Sequence, residues 1–292
     1  MKKILIVGMN SYVGNSFVEY MKKKSSSDVV EITDSMEDRW KQKDFSSYDC
    51  IFHVAGIAHS DTKKLTSDEQ ERYYRINTDL AVEVAKKAKK EKVKQFIFMS
   101  TMVVYGDSAK IGVSKIITAD TKVQPNNIYG ISKLKAEIGI SELSSDEFKI
   151  CLVRPPLIYG KGCKGNYPVL EKWALKLPIF PDIDNERSMI YIENFCEFIR
   201  LLISNEESGI FYPQNSEYVH TSDMVQKIAE ANGKRVRSTR FFNPIIYMLS
   251  RKIAVINKVF GNMTYDKSLS KYKHSYALVD FNESIGRIYK KD

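Results

Sequence analysis

The sequence predicts an α/β fold: a doubly wound parallel sheet followed by a smaller C-terminal α/β lobe. Three observations carry that reading. Short apolar runs, beginning with Lys3-Ile-Leu-Ile-Val7, alternate with longer helical patterns. A glycine turn from Gly8 to Gly14 follows the first run directly. Residues with chemical capacity recur at the ends of the runs, where open parallel sheets hold their ligands.

Taken in order, Lys2-Lys-Ile-Leu-Ile-Val-Gly8 reads as a fully buried strand, and Asn15 to Lys24 as an amphipathic helix. Between them, Met9-Asn-Ser-Tyr-Val-Gly14 forms a turn. Strand, turn and helix of this kind open a dinucleotide-binding unit, in which the backbone N–H groups of Gly8, Ser11, Tyr12, Val13 and Gly14 receive a pyrophosphate. Ser11 stands where the middle glycine of the usual fingerprint would be, and a purely structural turn is the alternative. The next strand, Asp28-Val-Val-Glu-Ile-Thr33, ends at Asp34, twenty residues beyond Gly14. A carboxylate there suits the ribose diol of NAD and repels the extra phosphate of NADP. A turn aspartate is the alternative, and Arg39 close behind is a candidate phosphate partner.

Tyr48 to Val54 is the third strand, leading to Ala55-Gly56, and Tyr73 to Lys92 a helix. The strand Gln95-Phe-Ile-Phe-Met99 delivers Ser100 and Thr101 at its carboxyl end. A helix from about Asn127 carries Tyr129-Gly-Ile-Ser-Lys133, and Phe148 to Val153 is another strand. Four residues of separation put Tyr129 and Lys133 on one helix face. An ammonium beside a phenol lowers the phenol's pKa from its usual value of about 10. With a neighbouring hydroxyl, Thr101, the group is suited to moving a proton on or off an alcohol. Gly8, Asp34, Ala55, Thr101 and Arg154 all fall at strand ends, so the candidates converge in one crevice.

Composition narrows the classes. Hydrophobic residues make up 43% of the 292, and no apolar run approaches a bilayer span. The N-terminal apolar stretch is too short for a secretory signal, so a cytoplasmic protein is expected. Cys50, Cys151, Cys163 and Cys196 lack C-x-x-C spacing and read as packing residues. His53, His59, His220 and His274 show no metal-ligand spacing, so no metal is expected; His53 and His59 read as structural. Much of the net charge of +9 sits in Lys86 to Lys94, a solvated helix end, and nucleic acid is not an expected partner.

These segments together resemble the extended short-chain dehydrogenase/reductase group, in its NAD-dependent nucleotide-sugar epimerase/dehydratase branch. The resemblance runs over nearly the full length. It rests on the glycine turn, Asp44-Phe45, His53-Val-Ala-Gly56, Asn77, Thr101 with Val104-Tyr-Gly106, Tyr129 to Lys133, Arg154-Pro-Pro-Leu-Ile-Tyr-Gly160 and Arg187 to Ile192. Its closest form is the surface-polysaccharide kind, with a glycine-rich turn and an asparagine from Gly162 to Asn166. The resemblance implies a Rossmann-type NAD domain over 1–155 plus about 189–207, and a nucleotide-sugar lobe over about 156–188 and 208–292. It assigns Tyr129 as base, Lys133 to the nicotinamide ribose and Thr101 as hydroxyl partner. It places Ala55, Gly56, Asn77 and Ser100 along the cofactor with Asp44 and Phe45 near the adenine, and Asn166 and Arg187 on the UDP. It also implies a homodimer sealed by helices at about 72–92 and 127–145.

Dehydratases of this branch carry an aspartate and a glutamate just after the threonine; here those positions are Met102 and Val103, which transfer no protons. The epimerase/reductase of GDP-fucose synthesis uses a cysteine near Met102, so that activity is disfavoured too. The expected activity is NAD-dependent 4-epimerisation of a UDP-hexose or UDP-N-acetylhexosamine. A 4-keto-reductase of polysaccharide synthesis is the alternative, and a non-catalytic NAD-binding relative the third. The apolar segment from Asn243 to Gly261, with a few basic residues, reads first as a lid or lobe helix packing on the sugar site. Its alternative is contact with a membrane surface, which matters if the sugar is carried on a lipid diphosphate.

Overall fold

The computed structural model describes residues 1–24, 27–35, 38–58 and 65–290. The chain forms two compact units, one of residues 1–106, 122–155 and 195–213, the other of 107–121, 156–194 and 214–292.

The first unit is built on a six-stranded sheet. Its strands are β1 (Lys3–Val7), β2 (Val29–Thr33), β3 (Cys50–His53), β4 (Gln95–Met99), β5 (Lys149–Val153) and β6 (Gly209–Phe211). Their order is β6-β5-β4-β3-β1-β2, all parallel. From β1 the chain steps to β2 on one side, then crosses to β3 on the other. The strand order therefore reverses between β1 and β3, the switch point beyond whose carboxyl ends open parallel sheets hold their ligands. One face buries Leu5, Val7, Phe96, Phe98 and Leu152 against Ala81, Val84, Ala85 and Ala88 of helix Leu80–Lys90 and against Ala136 and Ile140 of helix Ile128–Ser141. On the other face, Phe17 of helix Tyr12–Lys24 meets Phe52 edge-on at 5.7 Å, and Phe198 meets Phe211 at 6.0 Å. Helices on both faces explain why the strands read as continuous apolar runs and not as alternating ones. Each fully buried aromatic contributes roughly 1.5–3 kcal/mol of transfer free energy.

The expected helix from Tyr73 is interrupted. Helix Ser67–Tyr74, opened by a capping box of Thr66 and Glu69, runs into a π turn, Arg75–Asp79, before the helix Leu80–Lys90. The first helix starts at Tyr12, three residues ahead of the amphipathic stretch, because Ser11 caps it.

Among the described residues, the strands of the second unit form short parallel pairs: 157–159 with 189–191, 179–181 with 237–239, and 116–117 with 264–265. The expected bounds shift for this reason. Residues 189–194 go with the second unit because Met189–Tyr191 pairs with Leu157–Tyr159, and 209–211 go with the first because they extend the large sheet beside β5. The unit's centre is polar as well as apolar. The Tyr159 hydroxyl is 2.7 Å from that of Ser284 and accepts from Asn215 Nδ2 at 3.0 Å. All four cysteines are buried with free thiols. His59 and the Ser25-Ser26 part of the first helix-to-strand loop lie outside the described residues.

Candidate active site

The glycine turn meets the test for a phosphate cradle. Gly8 has φ +136°, and a Cβ on it would lie 2.8 Å from the Ala55 backbone nitrogen. Only glycine fits there at low cost, because the turn is pressed against the segment leaving β3. A Cβ on Gly14 already touches Ile6 and Val54 at 3.2 Å, so that position sets the approach of helix Tyr12–Lys24 to the sheet. Ser11 fills the missing glycine's position as an N-cap: its Oγ accepts from Gly14 N at 3.3 Å. Tyr12 and Val13 occupy the first turn of that helix, where the dipole favours an anion. Asp34 follows β2, next to Thr33, whose carbonyl accepts from Gly8 N at 3.1 Å. The donor set and the acidic neighbour fit the phosphates and ribose of NAD.

The next layer is a bracket of polar contacts. Asn77, fully buried on the π turn, accepts from Ile57 N at 2.8 Å and donates to Ser132 Oγ at 3.0 Å. It thereby ties the segment after β3 to the helix that bears Tyr129. A π turn supplying a buried polar side chain is a common functional use of that irregularity. Gly56 lies beneath both: a Cβ there would stand 3.0 Å from Lys133 Nζ and 3.1 Å from Asn77 Oδ1.

Helix Ile128–Ser141 is capped by Asn127, whose Oδ1 accepts from Gly130 N at 2.9 Å. A Cβ on Gly130 would lie 2.8 Å from the Val103 carbonyl oxygen, so glycine lets this helix press on the segment after Thr101. Thr101 accepts from Val103 N at 3.1 Å through Oγ1, which fixes its side-chain rotamer. Thr101 also acts on the Tyr129 phenol, favouring its ionised form.

The expected fall in the Tyr129 pKa does not occur in this arrangement. Burial raises the phenol above its ordinary value, and Thr101 offsets part of that. The reason is what Lys133 does. Its Nζ donates to the Met99 carbonyl at 2.9 Å and sits 4.6 Å from the Phe98 ring centroid. Burial pushes its ammonium down to about 7, with Glu137 acting in the opposite direction.

Glu137 is the residue that sequence reasoning missed. It follows Lys133 by four positions on the same helix face and is buried. Arg154, at the end of β5, grips it with both arms, Nε to Oε1 at 2.9 Å and Nη2 to Oε2 at 2.6 Å. Ser100 Oγ donates to the same carboxylate, and Arg154 Nη1 donates to the Tyr105 hydroxyl at 2.7 Å. This bidentate pair, with the Ser100 bond, clamps the ends of β4 and β5 to helix Ile128–Ser141. The available signal was the spacing itself, since an acid four residues past a buried lysine shares its face.

Other expected residues are placed differently. Phe45 is fully buried in the core and its N–H donates to Glu91 at 2.6 Å. Asp44 is exposed and accepts from Ser46 N at 2.9 Å. His53 is buried among Phe96 and Phe98, and burial, reinforced by Lys133, pushes it down to about 3, which keeps it neutral. Asn166 and Arg187 belong to the second unit. Asn166 is exposed at the start of helix Tyr167–Lys176. Arg187 Nη1 donates to the carbonyls of Lys258 and Val259 near the end of helix Ala254–Phe260, and burial pushes its guanidinium down to about 10.

Residues 4–212 match the model of the NAD dependent epimerase/dehydratase family. A UDP-glucose 4-epimerase of Vibrio cholerae is 28% identical over 255 residues, covering 80% of this chain and 76% of the relative. An N-acetyl-alpha-D-glucosaminyl-diphospho-ditrans,octacis-undecaprenol 4-epimerase of Escherichia coli O157:H7 is 24% identical over 277 residues, covering 88% and 81%. Among solved structures, a UDP-N-acetylglucosamine 4-epimerase from Bacillus cereus superposes with a TM-score of 0.76 at 16% identity, covering 99% of this chain and 98% of that one.

Proposed function

The chain belongs to the NAD-dependent epimerase/dehydratase family, and we propose that it catalyses 4-epimerisation of a UDP-hexose or UDP-N-acetylhexosamine. The observation that carries this reading is the assembly of Thr101, Tyr129 and Lys133 beside the Gly8–Gly14 cradle, with apolar Met102 and Val103 where an elimination would need acids. NAD, when bound, supplies the hydride acceptor and donor. The protein's part is acid–base work and orientation. Thr101 holds the sugar O4, and Tyr129 takes the O4 proton during oxidation and returns it during reduction. Lys133 must turn its charge from Met99 towards the phenol and ribose hydroxyls to lower the Tyr129 pKa. Asn77 and the Glu137–Arg154 pair hold these groups in register. In this reading Asn166 and Arg187 contact the sugar nucleotide, and the protein works as a cytoplasmic homodimer on polysaccharide precursors.

The test is to incubate purified protein with each UDP-sugar, without added cofactor, and to separate the products. A self-contained epimerase yields the C4 epimer with no net absorbance change at the NADH band, because the same cofactor takes and returns the hydride. Absence of any epimer, together with NADH or NADPH consumption on a 4-keto sugar, would replace this reading with the reductase.

A further inference from the structure

We propose that helices Asn243–Ser250 and Ala254–Phe260 form a docking surface for an anionic phospholipid membrane. Of the twenty large apolar side chains exposed among the described residues, eight fall within 241–255. Phe241 is 79% exposed and Met248 63%, with Ile245, Ile253 and Val255 beside them in sequence. Scattered apolar residues need no explanation, but a cluster of this density marks an interaction surface. In Asn243–Ser250 only Ser250 is buried, so the helix leaves most of its apolar side chains uncovered.

Charge selects the occupant. Between Glu230 and Asp266 the chain carries seven basic residues and no acidic one. Arg240 is paired with Asp182 at 2.9 Å, whereas Arg251 and Lys252 lie exposed in the connection between the two helices. Bulky apolar groups interleaved with uncompensated cations match the boundary of an anionic bilayer, where apolar groups enter and cations meet phosphate. A second copy of the chain would bring the same positive charge to the same face and be repelled. No helix among the described residues is long and apolar enough to cross a membrane, and these two, at eight and seven residues, are suited to lying along one.

The surface is fixed in place. Asn257 Nδ2 donates to the Ser250 carbonyl at 2.7 Å, joining the two helices, and Asn243 Nδ2 donates to the Asp182 carbonyl at 2.8 Å. Arg187 holds the far end through the Lys258 and Val259 carbonyls. Little ordering is then left to be done on docking.

Flotation of the full chain with vesicles tests this without any turnover, so the result is independent of the hydride chemistry. Vesicles of phosphatidylcholine with phosphatidylglycerol should carry the protein to the top, and phosphatidylcholine alone at least tenfold less. High salt should release it. The double variant Phe241→Ser/Met248→Ser and the double variant Arg251→Gln/Lys252→Gln should each lose binding at least tenfold, with melting temperature and activity on a soluble UDP-sugar unchanged. Failure of the wild type to float with either vesicle would overturn the proposal. So would full binding by the Phe241→Ser/Met248→Ser variant, or a dimer in sedimentation that this variant dissolves while vesicles are ignored.

Discussion

The surroundings of helix Ile128–Ser141 and the 243–260 helix pair invert the usual partition of side chains in opposite directions. In the first unit, Lys133, Glu137 and Arg154 are charged and at most 6% exposed. In the second, Phe241 and Met248 are apolar and mostly exposed. Each inversion costs stability where it occurs: buried charge loses hydration, and exposed hydrocarbon forgoes burial. They differ in how that cost is offset. The buried charges are offset internally, by one bidentate ion pair and one carbonyl acceptor. The exposed apolar groups have no internal offset, so theirs must come from outside the chain. A local rule broken with compensation marks a site; one broken without it marks an interface.

The sharpest way to separate chemistry from packing in the buried region is Tyr129→Phe. The ring stays and the hydroxyl goes, so turnover should fall by about 10²–10⁴-fold. NAD content and melting temperature should stay as in the wild type. A near-normal rate would remove Tyr129 from the mechanism.

Glu137→Gln attacks the compensation itself. Arg154 would remain buried beside a neutral amide, and the loss should be about 3–5 kcal/mol of unfolding free energy, read by denaturant titration. The double variant Glu137→Gln/Arg154→Met should recover most of it, because no uncompensated charge is left. A single variant as stable as the wild type would mean that the clamp is ornamental and that the contrast drawn above fails.

These residues also show how far the sequence could be read. β1, β4 and β5 were legible because both sheet faces are covered, which makes each strand an unbroken apolar run. Gly8, Thr101, Tyr129 and Lys133 were legible because strand ends and helix spacing place them without tertiary knowledge. Glu137 was not, since a glutamate on a helix reads as solvated until its buried arginine is found. The surroundings of Phe45 were not legible either: Lys87 packs over its ring at 4.9 Å and its N–H donates to Glu91, both tertiary contacts. The π turn at 75–79 leaves no periodicity signal of its own. Most of the second unit stayed opaque because its strands are two or three residues long, too short to display a period of two.

Lys133→Met gives the smallest change in stability, and the one that tests the buried side of the comparison most directly. On folding, the Lys133 pKa falls from 10.5 to about 7, chiefly through loss of hydration. Between those two values the unfolded chain holds a proton that the native chain has released. Wild-type stability therefore rises with pH across that window, and the cost of burying the charge is complete below about 7. Methionine has nearly the same reach and no charge, so the variant should unfold at a higher temperature than the wild type near pH 6. The lost bond to the Met99 carbonyl subtracts a roughly constant amount. The difference between variant and wild type should accordingly shrink steadily from pH 6 to pH 9, measured by paired thermal melts, while turnover is lost at every pH. A difference that stays flat with pH would mean that Lys133 keeps its proton in the native state. In that case the lysine is held as a full cation by Glu137 and Met99, and the buried charges of the first unit are more completely compensated than the geometry implies.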